Sequence, residues 1–235
     1  MPPFNVFAPY GLGKASAPPT LLEVRMDSVD KAIQNKARLM DKLKDKVGRL
    51  GRDRLPPGQN LVTNFPVLDL GIHPAFDPAT WRFEVSGEVE NPFSLSWEEF
   101  RALPRAEQIS DFHCVTTWSK YDVRWAGVKL STLLDKAGVK PTATHLIQEC
   151  GDGYDTNVPL AELRGEDILL AYELEGQPLP LEHGGPLRMI VPQLYAWKSS
   201  KFLRRLVLLP QDKPGFWEQR GYHNHADPWT EERFG

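Results

Sequence analysis

Apolar runs in this chain are short, and charge or proline interrupts each of them. None approaches the roughly 20 consecutive apolar residues of a membrane-spanning helix, so no membrane span is expected. From Arg54 onward the pattern is one of brief strands and turns without regular strand–helix alternation. Trp81, Phe83 and Val85 alternate with polar residues as a half-buried strand does, and Asn91-Pro92 turns the chain. Ser96 followed by Glu99 predicts a capping box that opens a short helix through Phe100. A second helix is predicted over residues 128–137, stopping at Gly138, where a left-handed cap is easily adopted. Residues 145–150, 168–174, 187–191 and 202–209 read as strands. No internal repeat is present, so the expected fold class is mixed α/β (α+β), dominated by curved sheets.

Residues 20–50 differ in character. Met26, Val29, Ile33, Met40, Leu43, Val47 and Leu50 follow the three-and-four spacing of an amphipathic helix. Its other face carries Lys36, Arg38, Lys42, Lys44, Lys46 and Arg49, which read as a solvated face. Residues 54–59 contain Pro56-Pro57-Gly58 and end that pattern, because proline cannot continue the hydrogen-bond ladder. The expected organisation is therefore a tail and helical appendage over residues 1–53 and one larger domain over 54–235. A net charge of -3 gives no global reason to expect a nucleic-acid partner. The first residues show no basic n-region followed by an apolar stretch, and the 2 cysteines cannot make a disulfide framework. A reduced, cytoplasmic setting is the expectation.

Three segments carry the chemistry. Cys114 sits in Asp111-Phe112-His113-Cys114-Val115-Thr116-Thr117-Trp118-Ser119, where a thiol among polar and aromatic neighbours binds a soft metal or acts as a nucleophile. In His183-Gly184-Gly185-Pro186-Leu187-Arg188, paired glycines let backbone approach a ligand, and Arg188 emerges at the start of a buried strand, where a free guanidinium needs an anion. In Trp197-Lys198-Ser199-Ser200-Lys201, hydroxyls, backbone N–H groups and two ammonium charges suit a phosphate. The three together read as one soft thiolate beside an anion cradle, as a phosphorylated cofactor with a cysteine-held metal would require.

At these residues the chain resembles the sulfite-oxidase-fold molybdopterin oxidoreductases, especially the short, haem-free bacterial forms related to the catalytic subunit of methionine-sulfoxide reductase. The resemblance runs from about Arg54 to the end, through Cys114-Val115-x-x-Trp118-Ser119, Gly184 to Pro192, Lys198 to Lys201, Gly215-Phe216-Trp217-Glu218 and Asp227-Pro228-Trp229. It implies a molybdenum held by one molybdopterin and by the Cys114 thiolate, which makes Cys114 a ligand and not a nucleophile. By the same matching, Phe65, Leu68, Asp69, Cys150, His183, Arg188, Ser199, Ser200 and Lys201 contact the cofactor, the last three at its phosphate. Asp69 stands where related short forms often have His, and Cys150 is a pterin contact without being a second metal ligand. Whether the pterin carries a nucleotide is left open.

Trp118, Lys120, Tyr121, Arg124 and His223 are expected around the substrate, the cations drawing an oxyanion, sulfoxide or N-oxide toward the metal. His113, next to the ligand, is a candidate to tune it from behind. The implied reaction is oxygen-atom transfer to or from a small molecule, with electrons exchanged with a separate partner, because the chain has no CxxCH haem motif or iron–sulfur cysteine set. Pro228 occupies the position where the methionine-sulfoxide reductase relatives have arginine, so a different substrate preference is expected. Two alternatives stay in view: a molybdopterin-binding or electron-transfer scaffold without turnover, and a cysteine-nucleophile enzyme using His113 or His183.

Overall fold

The structure, a computed structural model, describes Lys31 and residues 54–235. Apart from Lys31, which is helical and exposed, the predicted amphipathic helix with its basic face lies outside the described residues. In chain order the elements are β1 (Asn60–Leu61), β2 (Arg82–Gly87), β3 (Phe93–Ser96), α1 (Trp97–Arg101), β4 (Arg105–His113), β5 (Trp118–Lys129), α2 (Leu130–Ala137), β6 (His145–Cys150), β7 (Asp155–Pro159), β8 (Leu169–Leu174), β9 (Gln177–Pro178), β10 (Arg188–Ile190) and β11 (Leu203–Leu209). They form two mixed sheets. One runs β1-β5-β8-β10, with β4 added on β5 and β9 on β8; the other runs β3-β2-β11-β6-β7. β1 pairs parallel with β5, and β11 parallel with β2, while the other ladders are antiparallel.

Local chemistry explains most boundaries. Both limbs of the capping box form at α1: Ser96 N–H donates to Glu99 Oε2 at 2.7 Å, and Glu99 N–H donates to Ser96 Oγ at 3.2 Å. α2 begins two residues later than predicted, because Val128 and Lys129 pair with Leu170 and Leu169 as the end of β5. It stops at Gly138, whose φ of 66° is the left-handed cap. The long hairpin β4–β5 is the main element that the sequence pattern does not announce. β4 is Arg-Ala-Glu-Gln-Ile-Ser-Asp-Phe-His, with an exposed Ile109 and buried side chains only at its end, so apolar periodicity is nearly silent over it.

Two apolar clusters fill the molecule. Trp81, Phe83, Phe100, Leu133, Leu146, Leu170 and Leu206 belong to a core that draws on both sheets and both helices. Phe112, Cys114, Trp118, Trp125, Tyr195, Trp197 and Trp217 belong to a second, aromatic cluster, and the site lies there. β8 lies tightly against its sheet neighbour β5 where the ladder between them shifts register at Ala126 and Gly127. A Cβ on Gly127 would stand 1.9 Å from the Leu170 carbonyl oxygen of β8. Gly127→Ala is therefore expected to destabilise the protein by about 1–3 kcal/mol through forced separation of the strands, measured as a lowered urea midpoint; an unchanged midpoint contradicts this packing.

Candidate functional site

Cys114 occupies the tight turn between β4 and β5. Its N–H donates to Trp118 O at 2.8 Å and its carbonyl accepts from Thr117 N–H at 3.1 Å, so hairpin geometry fixes the thiol's backbone. Thr117 takes φ 69° to close the turn. The thiol, 6% exposed, has Thr116 Oγ1 at 3.1 Å and borders a cavity of roughly 820 Å³ including its open mouth.

Separate parts of the chain converge on this cavity. The extended segment after β1 brings Phe65, Leu68 and Asp69; the β6–β7 turn brings Asp152 and Tyr154; the segment around β10 brings His183 and Arg188; and Ser199, Ser200 and Lys201 precede β11. Trp118, Trp197 and Trp217 add aromatic wall. Phe65 makes edge contacts with Phe112 at 5.2 Å and Trp118 at 5.9 Å, and lies 4.6 Å from the His183 ring.

Arg188 is only 2% exposed. Its Nη1 donates to His183 O at 2.8 Å and its Nη2 to Ser199 O at 2.9 Å, while Nε has no partner. Among the described residues no carboxylate pairs with it. The rings of Phe112 and Trp125 lie 5.1 and 5.3 Å from the guanidinium carbon. Burial pushes this guanidinium down to about 9, a strong sign that it lacks a counter-charge. Lys201 is similarly burdened: burial, with the Arg188 charge beside it, brings its ammonium to about 8 even though Asp69 lies 3.7 Å away. Its Nζ donates to Glu182 O at 2.6 Å. Ser200 Oγ is buried with only the weakly accepting Cys150 thiol in reach. Two under-compensated cations and a buried hydroxyl beside a thiol make a site for an anionic ligand that also meets a soft donor.

Two parts of the expected cradle take different roles. Lys198 is fully buried and turned to another partner set: its Nζ lies 2.7 Å from Glu218 Oε1 and donates to Asn157 O at 2.8 Å and Asn157 Oδ1 at 3.0 Å. It is a core ion pair and not a free phosphate donor. Gly184 and Gly185 make room for the chain itself: a Cβ on Gly184 would stand 2.8 Å from Lys201 Cβ, and one on Gly185 would stand 2.3 Å from Leu179 O. Ser199 Oγ accepts from Val191 N–H at 2.9 Å, tying two segments of the wall together.

The remaining candidates divide cleanly. Cys150 does not border the cavity; its thiol is pushed well above the usual range, first by burial and then by the Asp152 charge, so it stays a neutral packing group. Trp118 lines the wall. Lys120, Tyr121, Arg124 and His223 do not: Lys120 Nζ donates to Thr63 O at 2.8 Å, Tyr121 lies under Arg54, Arg124 is exposed on β5, and His223 Nδ1 lies 3.3 Å from Glu232. His113 faces Ser119 Oγ at 2.8 Å, and burial lowers its imidazole to about 4, keeping it neutral. Asp69 is held by His73 Nε2 at 2.9 Å and Gly71 N–H at 2.8 Å. Burial opposes its charge, but the His73 hydrogen bond and the Lys201 charge outweigh burial and keep the carboxyl below its ordinary value.

Asp152 is the residue that sequence reading passed over. It is 6% exposed on the cavity wall, its carboxylate accepts from Tyr154 N–H at 3.1 Å, and burial raises it to about 6. In sequence it looks like any turn aspartate between two glycines, Gly151 and Gly153, and nothing local reports its burial.

A family model described as the oxidoreductase molybdopterin binding domain matches residues 70–217. The chain is 46% identical over 182 residues to YuiH of Bacillus subtilis, described as an uncharacterized oxidoreductase, covering 77% of this chain and 92% of that one. It is 31% identical to the methionine-sulfoxide reductase catalytic subunit MsrP of Gluconobacter oxydans, over 65% of this chain and 56% of that protein. It is 30% identical to human mitochondrial sulfite oxidase, over 70% of this chain and 36% of the enzyme. The chain thus spans about half or less of these two longer relatives. The sulfane dehydrogenase SoxCD structure from Paracoccus pantotrophus shares the fold, with a TM-score of 0.57 at 23% identity over 67% of this chain and 46% of that one.

Two outcomes follow from the site's electrostatics. Glu218→Gln strands Lys198 as an unpaired buried cation, and a loss of about 3–5 kcal/mol is expected in denaturant unfolding; a loss below about 1 kcal/mol is incompatible with the core ion pair. Asp152 holds its proton more tightly when folded, so its ionisation costs stability progressively as pH rises from about 4 to about 6. In the cofactor-free chain, Asp152→Asn should raise Tm above pH 6 and leave it unchanged near pH 3.5. A gain independent of pH rules out this origin.

Proposed function

The chain belongs to the molybdopterin-binding oxidoreductase family, with the sulfite-oxidase-like fold, and from that premise we propose that Cys114 ligates the molybdenum of one molybdopterin and that the enzyme transfers an oxygen atom to or from a small oxyanion, sulfoxide or N-oxide. The observation that carries this reading is Arg188, a buried guanidinium with an open Nε and no carboxylate partner among the described residues, in the same cavity as the Cys114 thiol. A phosphate-bearing pterin supplies the missing charge, and the thiolate supplies the soft ligand.

When bound, the cofactor supplies the two-electron redox change at its metal that oxygen-atom transfer requires. Arg188, Lys201 and Ser200 would bind and orient its anionic end, and His183 and Phe65 line the same cavity. Asp69 and Asp152 place acceptors on the wall, suited to N–H groups of the pterin. Cys114, Trp118 and Trp197 are buried residues of the cavity wall and would limit water at a metal held there. Asp69 is here an acceptor held by His73 and Gly71, which suits a carboxylate at this position.

Electrons pass to or from a separate partner, and the catalytic domain of this proposal is residues 54–235. A reduced, cytoplasmic setting is part of the proposal. The substrate differs from protein-bound methionine sulfoxide, in keeping with Pro228 where the related reductases carry arginine; Trp229 beside it is 50% exposed.

The test is metal analysis with turnover. Wild-type protein should contain close to one molybdenum per chain and turn over with an artificial electron donor or acceptor, favouring a small sulfoxide, N-oxide or sulfite over oxidised protein. Cys114→Ser should keep pterin and lose at least 100-fold in rate, because a thiolate ligand is replaced by a poor one. Arg188→Ala should lower cofactor affinity by roughly 10- to 100-fold, as expected for a charge-assisted contact of about 1.5–3 kcal/mol. Full activity in Cys114→Ser, or full pterin content in Arg188→Ala under limiting cofactor, refutes the assignment.

A further inference from the structure

The turn that presents Cys114 is braced from outside its own hairpin. Gln59 Nε2 donates to Cys114 O at 3.2 Å, Arg233 Nη1 donates to Val115 O at 2.7 Å, and Asn60 N–H donates to Thr117 O at 2.9 Å. These donors come from opposite ends of the described chain, and the ends meet. Arg233 Nη2 donates to Pro57 O at 3.4 Å, and a Cβ on Gly58 would stand 3.2 Å from that same nitrogen. The Arg233 side chain is 13% exposed and its guanidinium carbon lies 5.1 Å from the Tyr195 ring centre. Its acidic neighbour, Glu231, stands off at 3.7 Å, too far for a hydrogen bond. The carbonyls are thus the close partners of this guanidinium.

We propose that Arg233 is a positioning residue for Cys114: its planar fork clamps the Val115 and Pro57 carbonyls together and so fixes the angle at which the thiol enters the cavity. The proposal rests on the reading of Cys114 as the metal ligand. A turn with a non-glycine residue at φ 69° persists only where its surroundings hold it. The hairpin supplies two of those restraints, through Cys114 N–H and Thr117 N–H. Val115 O accepts from Arg233, so removing the fork frees the peptide adjoining the ligand. Gln59 braces the other side: it is 7% exposed, and its Oε1 accepts from Ser119 Oγ at 3.3 Å, which in turn lies 2.8 Å from His113 Nδ1. A buried, mutually bonded set of this kind rigidifies what it touches, and partners behind a ligand tune the metal that the ligand holds. Lysine cannot substitute, because one ammonium on a flexible stem does not span two carbonyls in a fixed plane.

The experiment compares holoenzyme of wild type, Arg233→Gln and Arg233→Lys by the Mo(V) electron paramagnetic resonance signal, the midpoint potential, and separate kcat and KM. Both variants should retain molybdenum, show a displaced Mo(V) signal and potential, and lose about tenfold or more in kcat with KM within twofold, in line with the usual 10–100-fold effect of such partners. An arginine that merely fastens the last residues of the chain would lower Tm and leave signal, potential and kcat unchanged; that result overturns the proposal. Should Arg233→Gln fail to fold, Arg233→Lys decides alone, and a wild-type spectrum in it is equally fatal. Absence of a sulfur-ligated molybdenum signal in wild type would instead defeat the reading of Cys114 itself, before any variant is compared.

Discussion

A guanidinium buried without a carboxylate partner among the described residues is the constraint around which this interior is organised. Arg188 lies at the first residue of β10, with two of its nitrogens spent on backbone carbonyls and aromatic faces nearby. Those contacts orient the group but do not neutralise it, and desolvation of the charge is costly in a low-dielectric interior. The segments that supply its carbonyls, at His183 and Ser199, are the same segments that wall the cavity. The same segments therefore both orient the charge and build the cavity.

The two lysines of the same short segment show how finely placement divides roles. Lys198 and Lys201 are three residues apart, yet one closes a core ion pair with Glu218 and Asn157 and the other reaches the cavity wall. The 3₁₀ turn over Ala196–Lys198 and the change of direction before β11 send them to different sides. Glu218 Oε1 also accepts from Trp197 Nε1 at 2.9 Å and Thr156 Oγ1 at 2.9 Å, so the ion pair anchors the aromatic wall to β7. A charge that looked available for a ligand is consumed in holding the ligand's wall.

Acidic groups beside the cations complete the balance. Asp69 is kept charged by hydrogen bonds and by Lys201, whereas Asp152, more deeply buried and accepting one backbone N–H, has a raised pKa. A phosphate alone would be poorly served by two carboxylates. A ligand that carries an anionic group and also a ring with N–H donors satisfies both signs of charge, and the family cofactor has that composition.

The sequence by itself determined the short-element α+β character, the α1 capping box, the Gly138 stop and the chemistry-bearing Cys114, Arg188 and Lys201, because each depends on residue type and near neighbours. It also carried the family, through motifs whose order along the chain is specific. Sequence periodicity did not report β4, whose polar edge is half exposed, nor the burial of Asp152, nor the loss of Lys198 to Glu218, 20 residues away. Lys120 and Arg124 lie on β5 away from the cavity wall and His223 sits beside Glu232, placements that proximity to a motif in sequence does not report. Only the tertiary structure decided those matters, and only it brought Arg233 to the carbonyl of Val115. Pairings across 118 residues depend on how sheets twist and pack, and that information is spread over the whole core, not held in any local pattern.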